Sequence, residues 1–294
     1  MRLVRPEVAA AAAALCLAAA FASEAAEDDL RLEWKFPPGA RRAWLATLAN
    51  EQTFTALGMK TTSESTETAT DEVAAGEGGA PAVLWRLQRV TLKANLGPGG
   101  ELDYDSAKPE DAEKASHKAL EGVVPLLGRA VRYEVGGSGK VGNVAPVGEA
   151  AGLKADSIAR RLQGYYLDLP ERPLHAGETW SVRMPVPFET FRGGVRERVY
   201  SFTGVSERAG RKVARIAVAD TFVFEPPTPV EGEEEPLMKL AGMKGTGTGE
   251  IWFLVDEGCV LEETFEAKMS LTVSMGMMDT ELDVVERSNR KRTD

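Results

Sequence analysis

From Phe265 to Met277 the chain alternates without a break. Phe265, Ala267, Met269, Leu271, Val273, Met275 and Met277 are apolar, while Glu266, Lys268, Ser270, Thr272 and Ser274 stand between them. A period of two is the signature of a β-strand with one dry and one wet face. The same rhythm runs through Trp44, Ala46, Leu48, Phe54 and Ala56, a strand entered by the turn at Pro37-Pro38-Gly39. In VLWRLQRVTLKANL the apolar positions change phase between Leu87 and Val90, which predicts a bulge. The segment MKTTSESTETATDEV is rich in threonine without an apolar stripe, and predicts an exposed or edge strand.

Two stretches break this rhythm with helical spacing. In PEDAEKASHKALEGVVPLLG, Pro109 opens a helix whose stripe is Ala112, Ala115, Ala119, Leu120, Val123 and Val124 until Pro125. In LKADSIARRLQGYY the inner side is Leu153, Ile158, Leu162 and Tyr165 or Tyr166. Between them VRYEVGGSGKVGNVAPV predicts a hairpin turning at Gly136 to Gly139. Five further strands follow Pro173, joined by Gly-containing turns and interrupted by the acidic connection EPPTPVEGEEEP.

The expected fold is α+β and mostly β. It is a curved antiparallel sheet or incomplete barrel, with two helices after the first group of strands. The halves fall at about 31–146 and 170–286, joined by a helix near 150–166. Two echoes suggest duplication: Gly39 ahead of Trp44 against Gly177 ahead of Trp180, and YEVGGSGKV against FLVDEGCV.

The first 22 residues stand apart. Arg2 and Arg5 precede an apolar run from Val8 to about Ala22 that ends in small residues, the pattern of a secretory leader rather than a membrane span. Cleavage is expected after Ala22, with Ala25 or Ala26 as the second choice, leaving 23–30 as a polar stretch. The mature chain is then periplasmic or extracellular and without a transmembrane segment. A leucine before Cys16 argues against a lipid anchor. Arg2, Arg5 and Glu7 carry a net +1, so the full-length charge of −10 becomes −11. That charge disfavours nucleic acid as a partner. The basic run Arg287, Arg290, Lys291 and Arg292, within 287–294, is expected to be a solvated tail.

Candidate chemistry is sparse. Cys259 is the one cysteine after the leader, so no intrachain disulfide is available, and a half-buried structural cysteine is expected. Of two histidines, His117 falls on a helix between Glu113 and Glu121, and His175 precedes a turn with no nucleophile at a recognisable spacing. Zinc, nucleophile-elbow and phosphate-loop motifs are absent from the sequence. Asp103, Asp105 and Asp168 are the carboxylates a hydrolase could use. Glu231 and Glu233 to Glu235 lack calcium-loop spacing. No cofactor, metal site or catalytic residue is expected. The methionines of the last quarter are a softer signal, because methionine adapts to irregular apolar surfaces. They make Phe265, Met269, Leu271, Val273, Met275 and Met277 the candidate ligand-binding face.

Three segments in order, LEWKFPPGARRAWL, LQRVTLKANLGPGGELDYDS and LPERPLHAGETWSV, resemble a family of exported bacterial proteins classed as a domain of unknown function. The resemblance implies export and a bacterial origin, and it transfers no active site. The expected function is non-enzymatic binding of an apolar small molecule or lipid, or of a partner protein of the envelope. A structural module without ligand and a carboxylate-based hydrolase are the alternatives.

Overall fold

The computed structural model describes residues 29–55, 58–75, 81–148, 155–186, 192–227, 238–275 and 278–293. The leader, Met277 and the acidic connection at 228–237 lie outside them. Six strands come first: β1 (Arg41–Phe54), β2 (Met59–Ala75), β3 (Pro81–Asn95), β4 (Glu101–Asp105), β5 (Ala130–Val135) and β6 (Val141–Val147). After helix α1 (Ala155–Gln163) come β7 (Thr179–Pro185), β8 (Gly194–Arg208), β9 (Arg211–Phe224), β10 (Met238–Leu254), β11 (Cys259–Met275) and β12 (Met278–Arg292).

All twelve strands join one antiparallel sheet in the order β6-β5-β3-β2-β1-β12-β11-β10-β9-β8-β7, with β4 on β3. It curves without closing. The two ends of the chain meet at its middle: β1 pairs with β12 from Trp44↔Arg292 to Phe54↔Leu282. The basic run expected to be a solvated tail is therefore the last part of a central strand, and the Arg290 side chain is only 12% exposed. Its partners on β1 and β11 are distant in sequence, so nothing local marked it as a strand.

The alternation sorts the faces as expected. On β11 Phe265, Ala267, Met269, Leu271 and Val273 are buried, while Lys268 is exposed and Glu266 half-buried. The phase change in β3 is a bulge: Thr68 pairs with Arg89 but Ala69 with Leu87. The threonine-rich segment is not an edge. It is β2, paired on both sides by β1 and β3, and its Ala69, Asp71 and Val73 are buried. Its inward face mixes Ala69 and Val73 with Glu67 and Asp71, a pattern that alternation of apolar residues alone does not reveal.

Of the two helical segments, α1 buries Ile158 and Leu162 as expected. The other is wound into three short 3-10 turns, Pro109–Ser116, Lys118–Leu120 and Val124–Leu126. The extended backbone of His117 separates the first two, and proline begins the first and interrupts the last. Leu120 and Leu126 are its buried apolar residues, and Asp111 is buried as well.

A segment ahead of β1 crosses the inner face at one end. Trp34 N–H donates to Gly137 O at 2.8 Å and Lys35 N–H to Gly258 O at 2.9 Å, tying the β5–β6 turn to the β10–β11 turn. Gly139 and Gly258 lie at positive φ, and a Cβ at Gly139 would fall 2.3 Å from Leu167 O and 2.8 Å from Trp34 Nε1. Only glycine lets the crossing segment approach this closely.

Candidate functional site

The inner face reads as rows across the sheet. One row runs Glu67, Ala46, Arg290, Glu263, Ile251, Ile216, Phe202; the next Leu48, Ser288, Phe265, Gly249, Val218, Tyr200. A third runs Asn50, Glu286, Ala267, Gly247, Asp220, Arg198, and a fourth Gln52, Val284, Met269, Gly245, Phe222, Arg196. Charged residues thus cross the middle of the surface, with Ser288, Asn50 and Gln52 as polar neighbours on β12 and β1. Arg198 makes two hydrogen bonds to Asp220, at 2.7 and 2.8 Å. Glu263 accepts from Arg290 at 3.0 Å and lies 3.9 Å from Arg198. Burial raises the Glu286 carboxyl above its usual range, against the pull of Arg196 and Arg198.

This belt separates two apolar regions. Beyond it on one side are Met269, Leu271, Val273, Leu240, Met243, Leu282 and Val284, all buried. Phe265 lies at the belt itself. Its ring faces the Arg198 guanidinium, 4.8 Å from centroid to Cζ, and fills a track of glycines on β10. A Cβ on Gly247 would meet Phe265 Cζ at 2.5 Å, and one on Gly249 would meet Phe265 Cδ2 at 3.0 Å. GTGTG at 245–249 is thus what lets a large ring lie along the sheet. Of the predicted face, Phe265, Met269, Leu271 and Val273 are brought together and packed. Met275 ends β11, its side chain outside the described part, as is the whole of Met277.

On the other side of the belt lies an aromatic pocket. Trp44 and Ala46 of β1, Glu67, Ala69 and Asp71 of β2, Trp85 of β3, Tyr133 of β5 and Arg290 of β12 form its sheet side. Trp34 of the crossing segment, with Tyr165 and Tyr166 after α1, closes it. The space left, partly open to solvent, suits roughly one or two water molecules. Trp34 stands edge-on to Tyr166 at 4.8 Å and donates from Nε1 to Leu167 O at 2.9 Å. The Tyr133 and Tyr166 hydroxyls are 2.7 Å apart. Arg290 lies 5.5 Å from the ring centres of both Trp44 and Tyr165, and Glu67 is held by Arg161 and by the Tyr165 hydroxyl.

Asp71 is the least comfortable group there. It is 6% exposed. Its Oδ2 accepts from Trp44 Nε1 at 2.7 Å, while Oδ1 has no hydrogen-bond partner. Burial raises its pKa from 3.8 to about 6, opposed by the Trp44 hydrogen bond, the charges of Arg42 and Arg290, and the Tyr133 hydroxyl. Arg290 Nε is likewise buried and unpartnered. These residues were missed from sequence, although a signal was present. Asp71 keeps phase with Ala69 and Val73, and three of the five tryptophans and three of the five tyrosines line the pocket.

The other candidates are locally engaged. Asp105 is clamped by Arg89 at 2.6 and 3.0 Å, which lowers its pKa to about 2. Asp103 is exposed, and Asp168 offers its backbone carbonyl to Trp180 Nε1 at 2.7 Å. His117 Nδ1 accepts from Ala119 N–H at 3.2 Å, and His175 Nε2 lies 2.9 Å from Asp29. Cys259 is buried beside Arg292, and burial raises its thiol. Glu231 and Glu233 to Glu235 lie outside the described residues. Among the described residues no group of three or more His, Cys, Asp and Glu is placed to hold a metal, and no helix is long and apolar enough to cross a membrane.

No family model and no curated protein matches the chain. Among solved structures it is similar in fold to lipovitellin, from a structure concerned with lipid–protein interactions in that protein. The TM-score is 0.51 at 13% identity, over 88% of this chain and 26% of that one. The chain therefore spans about a quarter of the lipovitellin chain, and what the two share is an architecture. DynF from the dynemicin biosynthesis pathway of Micromonospora chersina matches at TM-score 0.24 and 9% identity, over 92% of each chain. The β domain of the Bordetella autotransporter Brka matches at 0.26 and 10%, over 86% of this chain and all of that one. Scores at that level carry no argument about either.

Proposed function

We propose that this is an exported protein of the bacterial envelope that binds an apolar ligand or lipid against the inner face of its open sheet, without catalysis. The observation that carries the reading is the long dry face of β11 and its neighbours, Phe265, Met269, Leu271 and Val273 with Leu240, Met243, Leu282 and Val284, on a sheet that is not closed. The architectural likeness to lipovitellin, a structure titled for lipid–protein interactions, supports it by analogy. The leader pattern and the resemblance of LEWKFPPGARRAWL and its companion segments to exported proteins support the location.

In the present conformation the described part of that face is filled by its own side chains. A ligand would enter by displacing Phe265 from its glycine track or the flexible methionines from one another. That filling favours a second reading, a structural module that binds no ligand.

The two readings separate by extraction. Protein recovered from native envelopes should carry an apolar compound in near-stoichiometric amount, seen by mass spectrometry. Exchanging Met269 and Met275 for leucine should leave stability within about 1.5 kcal/mol yet change the bound population. Clean protein that also fails to take up a fluorescent fatty acid would leave the structural module.

A further inference from the structure

The aromatic pocket has no part in that reading. It lies across the charged belt from the methionines, and Phe265, Met269, Leu271 and Val273 do not line it. Its chemistry points elsewhere. Two residues that line the same small space each keep a buried polar atom without a hydrogen-bond partner, the acceptor Asp71 Oδ1 and the donor Arg290 Nε. Leaving such atoms unpaired is costly, so a group that both donates and accepts is the natural occupant.

Charge and size narrow the class. Asp71 already faces Arg42 and Arg290, Glu67 is paired with Arg161, and Arg290 with Glu263. A cationic ligand would meet the arginines, and an anionic one the carboxylates. The arginine that stacks on Trp44 and Tyr165 already takes the place of a cation over these rings. A neutral hydroxyl adds no net charge. The remaining space takes a hydroxyl with the one carbon that bears it, and the surrounding indole and phenol rings suit that methylene.

We propose that this pocket is a binding site for the terminal CH2–OH of a neutral polyol or glycerolipid head, its hydroxyl donating to Asp71 Oδ1 and accepting from Arg290 Nε. Ala46 and Ala69 set the depth of the site, being the two small side chains among its aromatic and charged neighbours.

The test titrates the purified protein by tryptophan fluorescence, since Trp34, Trp44 and Trp85 all border the site. The probes are glycerol monooctanoate, methyl octanoate, glycerol and ethylammonium chloride. The glyceryl ester should bind saturably and roughly tenfold or more tightly than the methyl ester, which lacks the hydroxyls. Ala46→Leu, which fills the pocket while leaving Asp71 and Arg290 in the chain, should abolish that difference while the circular dichroism spectrum stays unchanged. Asp71→Asn should weaken the glyceryl ester alone. Saturable binding of glycerol itself would assign the site to free polyols. Binding of the ester without glycerol would assign it to a glycerolipid head. Equal binding of the two esters, an unchanged Ala46→Leu titration or a preference for ethylammonium would overturn the proposal. The methyl ester and lipid extraction report on the methionine face, so either reading can fail while the other stands.

Discussion

Replacing Asp71 by asparagine tests the electrostatics of the aromatic pocket in the free protein. The carboxyl is buried and its pKa raised from 3.8 to about 6. Below pH 4 it is protonated in both the folded and the unfolded chain, and burial costs no charge. Between pH 4 and 6 the unfolded chain releases the proton while the folded chain keeps it. The folded state then binds more protons, so its stability falls as pH rises. Above pH 6 to 7 the carboxylate is ionised in both states and the penalty is complete. A tenfold change in acidity is worth about 1.4 kcal/mol, so the penalty is on the order of 3 kcal/mol. Asparagine carries no charge at any pH and keeps an acceptor for Trp44 Nε1. Asp71→Asn should therefore gain about 3 kcal/mol relative to the parent between pH 4 and pH 8, whatever its offset at pH 4. Urea unfolding at five pH values, followed by tryptophan fluorescence, gives the difference directly. In thermal melts it should grow by roughly 6–10 °C. A flat difference would show that Asp71 ionises as in water. A difference of the opposite sign would show that Arg42 and Arg290 outweigh burial, and the argument would be wrong.

Gly247→Ala should destabilise by about 1–3 kcal/mol through overpacking, since its Cβ meets Phe265 Cζ at 2.5 Å; adding Phe265→Leu should recover much of the loss in chemical denaturation. Asp220→Ala leaves Arg198 buried without its bidentate partner and should cost about 3–5 kcal/mol, measured as a fall in unfolding midpoint. Ending the chain after Glu286 removes the Trp44↔Arg292 to Ala49↔Arg287 pairing of the central strand, so the product should be rapidly degraded in limited proteolysis, whereas loss of a solvated tail would be silent.

Much of the scaffold was legible along the chain because facing within a strand is a local property. The alternation from Phe265 to Val273 assigned the buried and exposed sides of β11, the slip between Leu87 and Val90 announced the bulge opposite Thr68 and Ala69, and Ile158 and Leu162 marked the inner side of α1. The misreadings share one cause. Glu67, Asp71 and Arg290 are polar yet inward-facing, and alternation identifies the inner face only where that face is apolar. The threonine-rich strand therefore looked like an edge and the basic run like a tail. The 3-10 turns after Pro109 show the converse. A helical stripe is written there, but the extended backbone of His117 and the proline at 125 break it into short turns.

Periodicity determines a β-rich chain, and the apolar run near Arg2 and Arg5 predicts a leader, because strand facing and leader hydrophobicity depend on neighbours a few residues apart. Pairing between the first and last strands, and the meeting of Trp34, Asp71, Tyr133, Tyr165 and Arg290, depend on residues up to the whole chain length apart. No local pattern encodes which strand lies across the sheet. That choice follows from closing the inner face as a whole, and it brings Asp71 and Arg290, each with an unpartnered polar atom, to the lining of one small aromatic space.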